Sequence, residues 1–478
     1  MTLSWAERLK NEIGASRVIE DEEEVAAHSY DWWPVAIKWR RQGKQPYSPN
    51  VIVRPEGTGE VSRLLVWASA NDANDVPVTP WGAGSSVTGA PLPMRGGISL
   101  DLSAMRKVLA LNEVNLLVRV EAGVLGHELE GELNARGYTL NHSPQSLHLS
   151  TVGGWIATRA TGHFSSRWGG IEDLIVALTI VLPTGELVET KPAPRAAVGP
   201  ELRELFVGSE GTLGVVTDVT LKIFPMAEHR LYETVSFERI DAGVTAVRRI
   251  MRLGLHSFLV RLYDKDEARH LMGCKEAPGN VLLLGFEGIE EIANAEYAVG
   301  IGICRAEGGQ VLGSETALTW MERHFDFSAV EDLLGQPGGV AETIEVAHFW
   351  DSILATYNEL KKALAPLTTE VLGHFSHVYP QGTSLYMILL GRVEDDAAAE
   401  ERLLQIWDVA MNVCLEHGAA ISRHHGVGLA RLPYIRRELG ASSLVLQRIK
   451  EALNPAGILN PGKYGLDQKP WNNGTEAR

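Results

Sequence analysis

A chain of 478 residues, 45% apolar and 22% charged, has material for more than one domain and a sizeable core. A net charge of −16 gives no electrostatic reason for a nucleic-acid partner. No apolar run is long enough to cross a bilayer, "MTLSWAERLKNEIG" lacks a signal-peptide core, and Cys274, Cys304 and Cys414 show no paired spacing, so a cytoplasmic protein with buried free thiols is expected.

In chain order, residues 1–45 read as an N-terminal helical arm. The acidic run Glu20 to Glu24 reads as a solvated helix start, and "IKWRRQGKQPY" sets Lys38, Arg40, Arg41 and Lys44 beside Trp39 and Tyr47. No amphipathic period organises that basic run, so a solvated arm is expected, with a membrane surface or a protein partner as the alternative contact. From Asn50 to Pro225 short strands such as "NVIVRP", "LLVRVEAG" and "LIVALTIVLPTGELVET" alternate with glycine-rich turns, and "GEVSRLLVWASAND" and "LGHELEGELNARG" have helical spacing. Beyond Pro225 longer helices such as "AEERLLQIWDVAMNVCLEHG" alternate with strands such as "TSLYMILLGRV", as in a sheet covered by helices. The chain ends in a short helix stopped by Asn-Pro, then a turn-rich tail, "DQKPWNNGTEAR", that looks frayed.

"PWGAGSSVTG" sets Gly82, Gly84 and Gly89 among Ser85, Ser86 and Thr88. Backbone without a Cβ approaches an anion closely and adopts positive φ, and the hydroxyls add donors. Neither a triphosphate loop nor a Rossmann turn fits this spacing. Two later loops of the same character, "HSPQSLHLSTVGGWIATRATG" and "GSEGTLGVVTDVTLKI", suggest a long ligand with two phosphates, a sugar and a fused ring.

These loops, with "GGIEDLIVALTIVLPTGE" and the terminal "LNPAGILNPGK", resemble the FAD-binding domain of the vanillyl-alcohol oxidase superfamily, also described as p-cresol methylhydroxylase-type (PCMH-type). The resemblance implies an α+β protein: a two-subdomain PCMH-type FAD-binding domain over residues 46–226, and an α+β cap with an antiparallel sheet and covering helices over 227–430. Residues 431–478 would return to the FAD domain. Pro80, Trp81, Gly82, Ala83, Gly84, Ser85, Ser86, Val87 and Gly89 would wrap the pyrophosphate. Gln145, Ser146, Leu147, Ser150 and Thr151 would pass the flavin ring and ribityl chain, with Gly153 and Gly154 permitting close approach. Thr158, Arg159, Ala160 and Thr161 would contact the diphosphate side, and Glu210, Gly211, Gly214, Val215 and Val216 the adenosine end. Some relatives tether the flavin to a histidine in the first loop; this loop has none, so FAD is expected to be non-covalent.

Hydroxy-acid dehydrogenases of the superfamily often carry an H-x-G-D-G-N-x-H metal segment. Here "GHFSHVYPQGTSLY" keeps His374 and His377 without the Asp-Gly-Asn, so no metal site is expected. The same stretch, with "RLYD" and "SRHHGVG", resembles the alkyldihydroxyacetonephosphate synthase family more closely. That resemblance implies Tyr386 as proton acceptor, His424 and His425 as its partners, and Arg261 beside the flavin. Neighbouring histidines are expected to lower the phenol toward a usable base. His424 and His425, if on a strand, would face opposite sides, so one would reach the flavin. Arg261 has a structural alternative as partner of Asp264, and His374 and His377 are either core or substrate residues. The family's substrate-binding arginine falls on Glu331 here, with Arg323 or Arg423 as substitutes. Because of that altered clamp the first reading is an FAD-dependent oxidoreductase passing a hydride from a hydroxylated small molecule (2-hydroxy acid, sugar acid or polyol) to flavin N5. The alternatives are an alkyldihydroxyacetonephosphate synthase-like exchange of acyl for alkyl through an N5 adduct, and a non-catalytic flavin-binding subunit. No motif specifies the electron acceptor, and a homodimer stays open.

Overall fold

The computed structural model describes residues 5–70 and 76–466; the end of "GEVSRLLVWASAND" and the terminal "DQKPWNNGTEAR" lie outside the described residues. The fold is α+β throughout. In the first half a four-stranded sheet runs in the order Val18–Ile19, Val51–Val53, Ile98–Asp101, Val78–Trp81, with the last three strands parallel. Beside it lies a five-stranded antiparallel sheet ordered Val108–Asn112, Leu117–Glu121, Val215–Lys222, Ile175–Val181, Leu187–Glu189. The run "IVALTIV" is buried at every position of its strand because that strand is flanked by neighbours and covered on both faces.

The second half is built on a seven-stranded antiparallel sheet whose last four strands in spatial order are Leu259–Tyr263, Glu370–Val378, Gly382–Arg392 and Gly339–Phe349. The helix Asp396–His417 covers one face, burying Leu403, Ile406, Trp407, Ala410, Met411 and Cys414 at three- and four-residue spacing. Asp395 caps its start by accepting from Ala398 N–H, and Gly418 ends it at φ +71°. After this domain the chain crosses back: Leu459 bridges to Val78, Lys450 donates to Thr212 O, and Asn460 to Glu210 O. Among the described residues no helix is long and apolar enough to cross a membrane. Cys304 and Cys414 are buried, whereas Cys274 is only partly so.

The basic run departs from its expectation. Pro34–Arg41 is a helix, and Lys38 is fully buried, donating to Leu334 O (2.8 Å), Gln336 O (3.2 Å) and Asp396 (3.1 Å). Arg41 pairs with Asp396, and Trp39 and Lys44 bond Glu400. These groups are engaged within the fold by acidic residues more than 350 positions away, leaving little for an external anionic surface. Lys38→Met is therefore expected to cost about 3 kcal/mol, because two carbonyls and a carboxylate lose their donor. Urea denaturation checks this against Lys362→Met, an exposed pair with Glu359 that should shift by less than about 0.5 kcal/mol.

Candidate active site

A cavity of about 780 Å³ runs between the two halves. Pro80 to Val87 form one wall, Gln145, Ser146, Ser150, Thr151, Gly153 and Gly154 a second, Thr158, Ala160 and Thr161 a third. Glu210, Gly211, Gly214, Val215 and Val216 also line it, with apolar Leu102, Ala122 and Phe206, which no sequence motif marks. Two glycines explain why these loops close together. Gly84 has φ +67° and a Cβ there would sit 2.5 Å from the Trp81 ring; Gly211 has φ +68° and a Cβ would sit 2.6 Å from Pro80.

Three of the expected loop residues do not line the cavity. Leu147 packs in the FAD-domain core, and Arg159 caps a helix and turns out to Glu204 (3.0 Å). Gly89 braces the first loop from behind, donating to Asp31 (2.7 Å) and accepting from Lys463. Backbone and hydroxyl donors, an apolar wall and a titratable cluster gathered in one cavity fit a flavin dinucleotide.

The cluster is set by sheet register. Across three strands Glu345, Tyr386 and His374 form one rung, and Tyr386 stacks on His374 with ring centroids 4.7 Å apart. The Tyr386 hydroxyl is 2.6 Å from His424 Nε2. His424 and His425 lie in a turn rather than a strand, so both line the cavity, their rings 4.7 Å apart. Glu345, wholly buried and unmarked in the sequence reading, accepts from the backbone N–H of Arg423 (2.7 Å) and His424 (3.1 Å). Its carboxylate also lies 3.5 Å from Arg431, which is fully buried.

Among the described residues Arg261 pairs with neither Asp264 nor another carboxylate: it donates to the Tyr263 hydroxyl (2.8 Å) and to His374 Nε2 (2.9 Å). Arginine only donates, so His374 must carry its proton on Nδ1, facing Glu267 at 2.8 Å. Asp264 instead caps the helix Lys265–Met272 and binds Tyr357 and Lys361. His377, at φ +51°, bonds Ser165 (2.8 Å). Arg423 stands outside the cavity lining, held by Thr161 and Tyr379, whereas Arg323 and Glu331 line it.

The direction of the Tyr386 shift is opposite to the expected one. Enclosure away from bulk water, then the Glu345 charge, hold the phenol well above its ordinary value, so it is a hydrogen-bond donor at neutral pH. Enclosure pushes His425 and His142 down to about 3, and His377 and His163 well below their usual range. Both ring nitrogens of His142 are buried without a hydrogen-bond partner, against Trp155.

Past the first rung the floor turns aliphatic. The next rung is Thr343, Ile388 and Leu372, and the one after carries Ala341, Leu390 and Glu370, whose carboxylate bonds His270 (2.7 Å). From the Tyr386 rung to the Leu390 rung is four residues of strand, about 13 Å. Helix Ser328–Gly335 roofs it with Val330 and Leu334, while Trp32 and Phe327 meet edge to face at 5.6 Å. Glu342, on the same strand, turns the other way and accepts from Trp407 Nε1 (2.8 Å) and Thr343 N–H (2.9 Å). Burial pushes its carboxyl up to about 8. A folded pKa above the unfolded one gives stability that is full below the unfolded value near 4.3 and is lost as pH rises toward 8. Glu342→Gln removes that loss: its melting temperature relative to wild type should climb between pH 5 and pH 8, by about 1 kcal/mol of stability per pH unit.

Comparison with known proteins agrees with this architecture. Residues 49–191 match a family model described as an FAD binding domain, and residues 226–464 one described as the C-terminal domain of FAD linked oxidases. An uncharacterized FAD-linked oxidoreductase of Escherichia coli (strain K12), YgcU, is 32% identical over 97% of this chain and 99% of its own. The alkyldihydroxyacetonephosphate synthase of Trypanosoma brucei brucei is 29% identical over 89% of this chain and 75% of its own, and a D-lactate dehydrogenase of Anaerostipes hadrus 26% over 97% of each. Among solved structures, an alkyldihydroxyacetonephosphate synthase superposes with a TM-score of 0.80 (24% identity, 96% of this chain, 86% of that one). A substrate-bound p-cresol methylhydroxylase gives 0.80 at 15% identity, with 97% and 96% covered. These two establish likeness of fold.

Proposed function

This chain belongs to the family of FAD-linked oxidases, with FAD as its cofactor, and from that premise we propose that it is an oxidoreductase acting on a hydroxylated small molecule that carries an apolar arm. Bound FAD, held without a covalent tether, supplies the two-electron acceptor. The observation that carries the reading is the 2.6 Å contact between Tyr386 and His424 at the point where the cavity floor passes from polar to aliphatic. The substrate hydroxyl gives its proton to Tyr386 as the phenol proton moves to His424 Nε2. Arg261, oriented by Tyr263 and His374, holds the oxygen on which negative charge develops.

The aliphatic rungs specifically favour a second reading, replacement of an acyl by an alkyl chain as the relatives named alkyldihydroxyacetonephosphate synthase imply. One experiment separates the two. The holoprotein is mixed anaerobically with 2-hydroxy acids of increasing chain length, sugar acids and polyols. Bleaching of the flavin by a long-chain hydroxy acid in preference to polyols is the expected result. No bleaching, with labelled hexadecanol incorporated into palmitoyl-dihydroxyacetone phosphate, would replace the first reading by the second. Neither outcome would leave a flavin-binding subunit.

A further inference from the structure

We infer that Glu345 is the positioning residue of a carboxylate–imidazole–phenol triad formed by Glu345, His424 and Tyr386. This rests on the reading of Tyr386 as the proton-transfer residue and adds the group that makes its partner a base.

A carboxylate with no exposed surface in mid-strand is costly unless its oxygens are engaged. Oε1 takes the backbone N–H groups of Arg423 and His424, which fixes the turn that carries both histidines. The same oxygen lies 3.2 Å from His424 Nδ1, and Oε2 lies 3.9 Å from His425 Nδ1. His424 Nδ1 is buried and, at the present ring angle, makes no aligned hydrogen bond. A small rotation about Cβ–Cγ would align it, and catalytic bonds commonly tighten in this way once the site is loaded.

The triad requires one tautomer. In it the Tyr386 phenol donates to His424 Nε2, 2.6 Å away, and that nitrogen is bare. A neutral ring with a bare Nε2 carries its proton on Nδ1, facing Glu345. When a substrate proton reaches Tyr386, the phenol proton passes to Nε2 and the resulting imidazolium presents Nδ1–H to the carboxylate. One O–H bond forms at the phenol as another breaks, and no further reactant is needed.

The groups around His424 favour this division of labour. Glu345 and Tyr386 face it from two adjacent strands, with His377 from the third at 5.0 Å between ring centroids. Arg423, His425 and Arg431 approach from its own segment, and His142 and His163 act on it from the FAD domain. All four of those imidazoles stay neutral near pH 7, while Glu345 accepts two backbone N–H groups and lies 3.5 Å from the permanently charged Arg431. An ionised carboxylate thus stands beside His424, with the surrounding rings uncharged.

The test needs no substrate. The holoprotein is labelled with ring-15N histidine and its two-bond 1H–15N spectrum recorded at pH 7, His424 being assigned by its loss in His424→Gln. The expected spectrum places the proton on Nδ1, as a downfield, exchange-protected resonance that persists in Tyr386→Phe and disappears in Glu345→Gln. A proton on Nε2, or an Nδ1–H lost in Tyr386→Phe, overturns the triad. If Glu345→Gln does not fold, wild type and Tyr386→Phe still decide it. A failed triad with a bleached flavin leaves the oxidoreductase reading standing; a correct tautomer with no bleaching overturns only that reading. With a bleaching substrate in hand, Glu345→Gln should slow the reaction about 100-fold.

Discussion

Tyr386→Phe is expected to leave a folded protein with its flavin bound, while bleaching by the best substrate of the panel slows by about 10²- to 10⁴-fold, the usual worth of a positioned proton-transfer group. The ring stays because its packing does not depend on the hydroxyl: it stacks on His374 at an interplanar angle of 12° and sits in a continuous three-strand rung. The change removes one oxygen from the cavity and one donor from His424 Nε2. Because that nitrogen faces a cavity that water can enter, the stability cost should stay near 1 kcal/mol. Stopped-flow absorbance gives the rate, the flavin spectrum gives occupancy, and a thermal melt gives stability. Loss of rate at full occupancy and near-wild-type melting assigns the phenol to proton transfer. An unchanged rate would move the base to His425, the other imidazole lining that wall.

The parts of this protein legible in its sequence are those whose physics is local. Glycines at positive φ with adjoining hydroxyls announce a close-approach loop wherever they occur, and Gly84 and Gly211 meet their neighbours as that reading requires. The buried strand "IVALTIV" and the capped helix Asp396–His417 are likewise written in short runs. Register and turn geometry are different. His424 and His425 were expected on opposite sides because two-residue alternation was assumed, but Glu345 pulls their backbone into a turn and both rings face the cavity.

Residues that act through distant partners left no local signal. Lys38 looked like one member of a solvated basic run because its acceptors are about 300 or more residues away, at the C-terminal end of the roof helix and on Asp396. Glu345 was not singled out in the sequence, and only the pairing with Gly382–Arg392 sets it beside Tyr386. The phenol's shift followed the same rule. Counting histidine neighbours suggested a lowered value, whereas enclosure and the Glu345 charge, both products of tertiary packing, raise it.

Arg431→Met is expected to be the most destabilising single change around this site, by about 3–5 kcal/mol, because it breaks a buried pair from one side. Arg431 has no exposed surface; it donates to Ile421 O (2.7 Å), Gly426 O (2.9 Å) and Glu345 O (3.1 Å), and its guanidinium lies 4.8 Å from the Trp407 ring centroid. Methionine replaces part of the stem's packing and none of the donors. Three carbonyls are then left without this partner, and the Glu345 carboxylate, 3.5 Å away, loses its permanent countercharge. Denaturant midpoints measure the loss. The double variant Arg431→Met with Glu345→Gln separates its causes: if the stranded charge dominates, the pair should be destabilised by less than the two single changes added together, since the amide needs no countercharge. If the losses simply add, the carbonyl bonds carry the cost, and Arg431 braces the histidine turn rather than balancing its carboxylate.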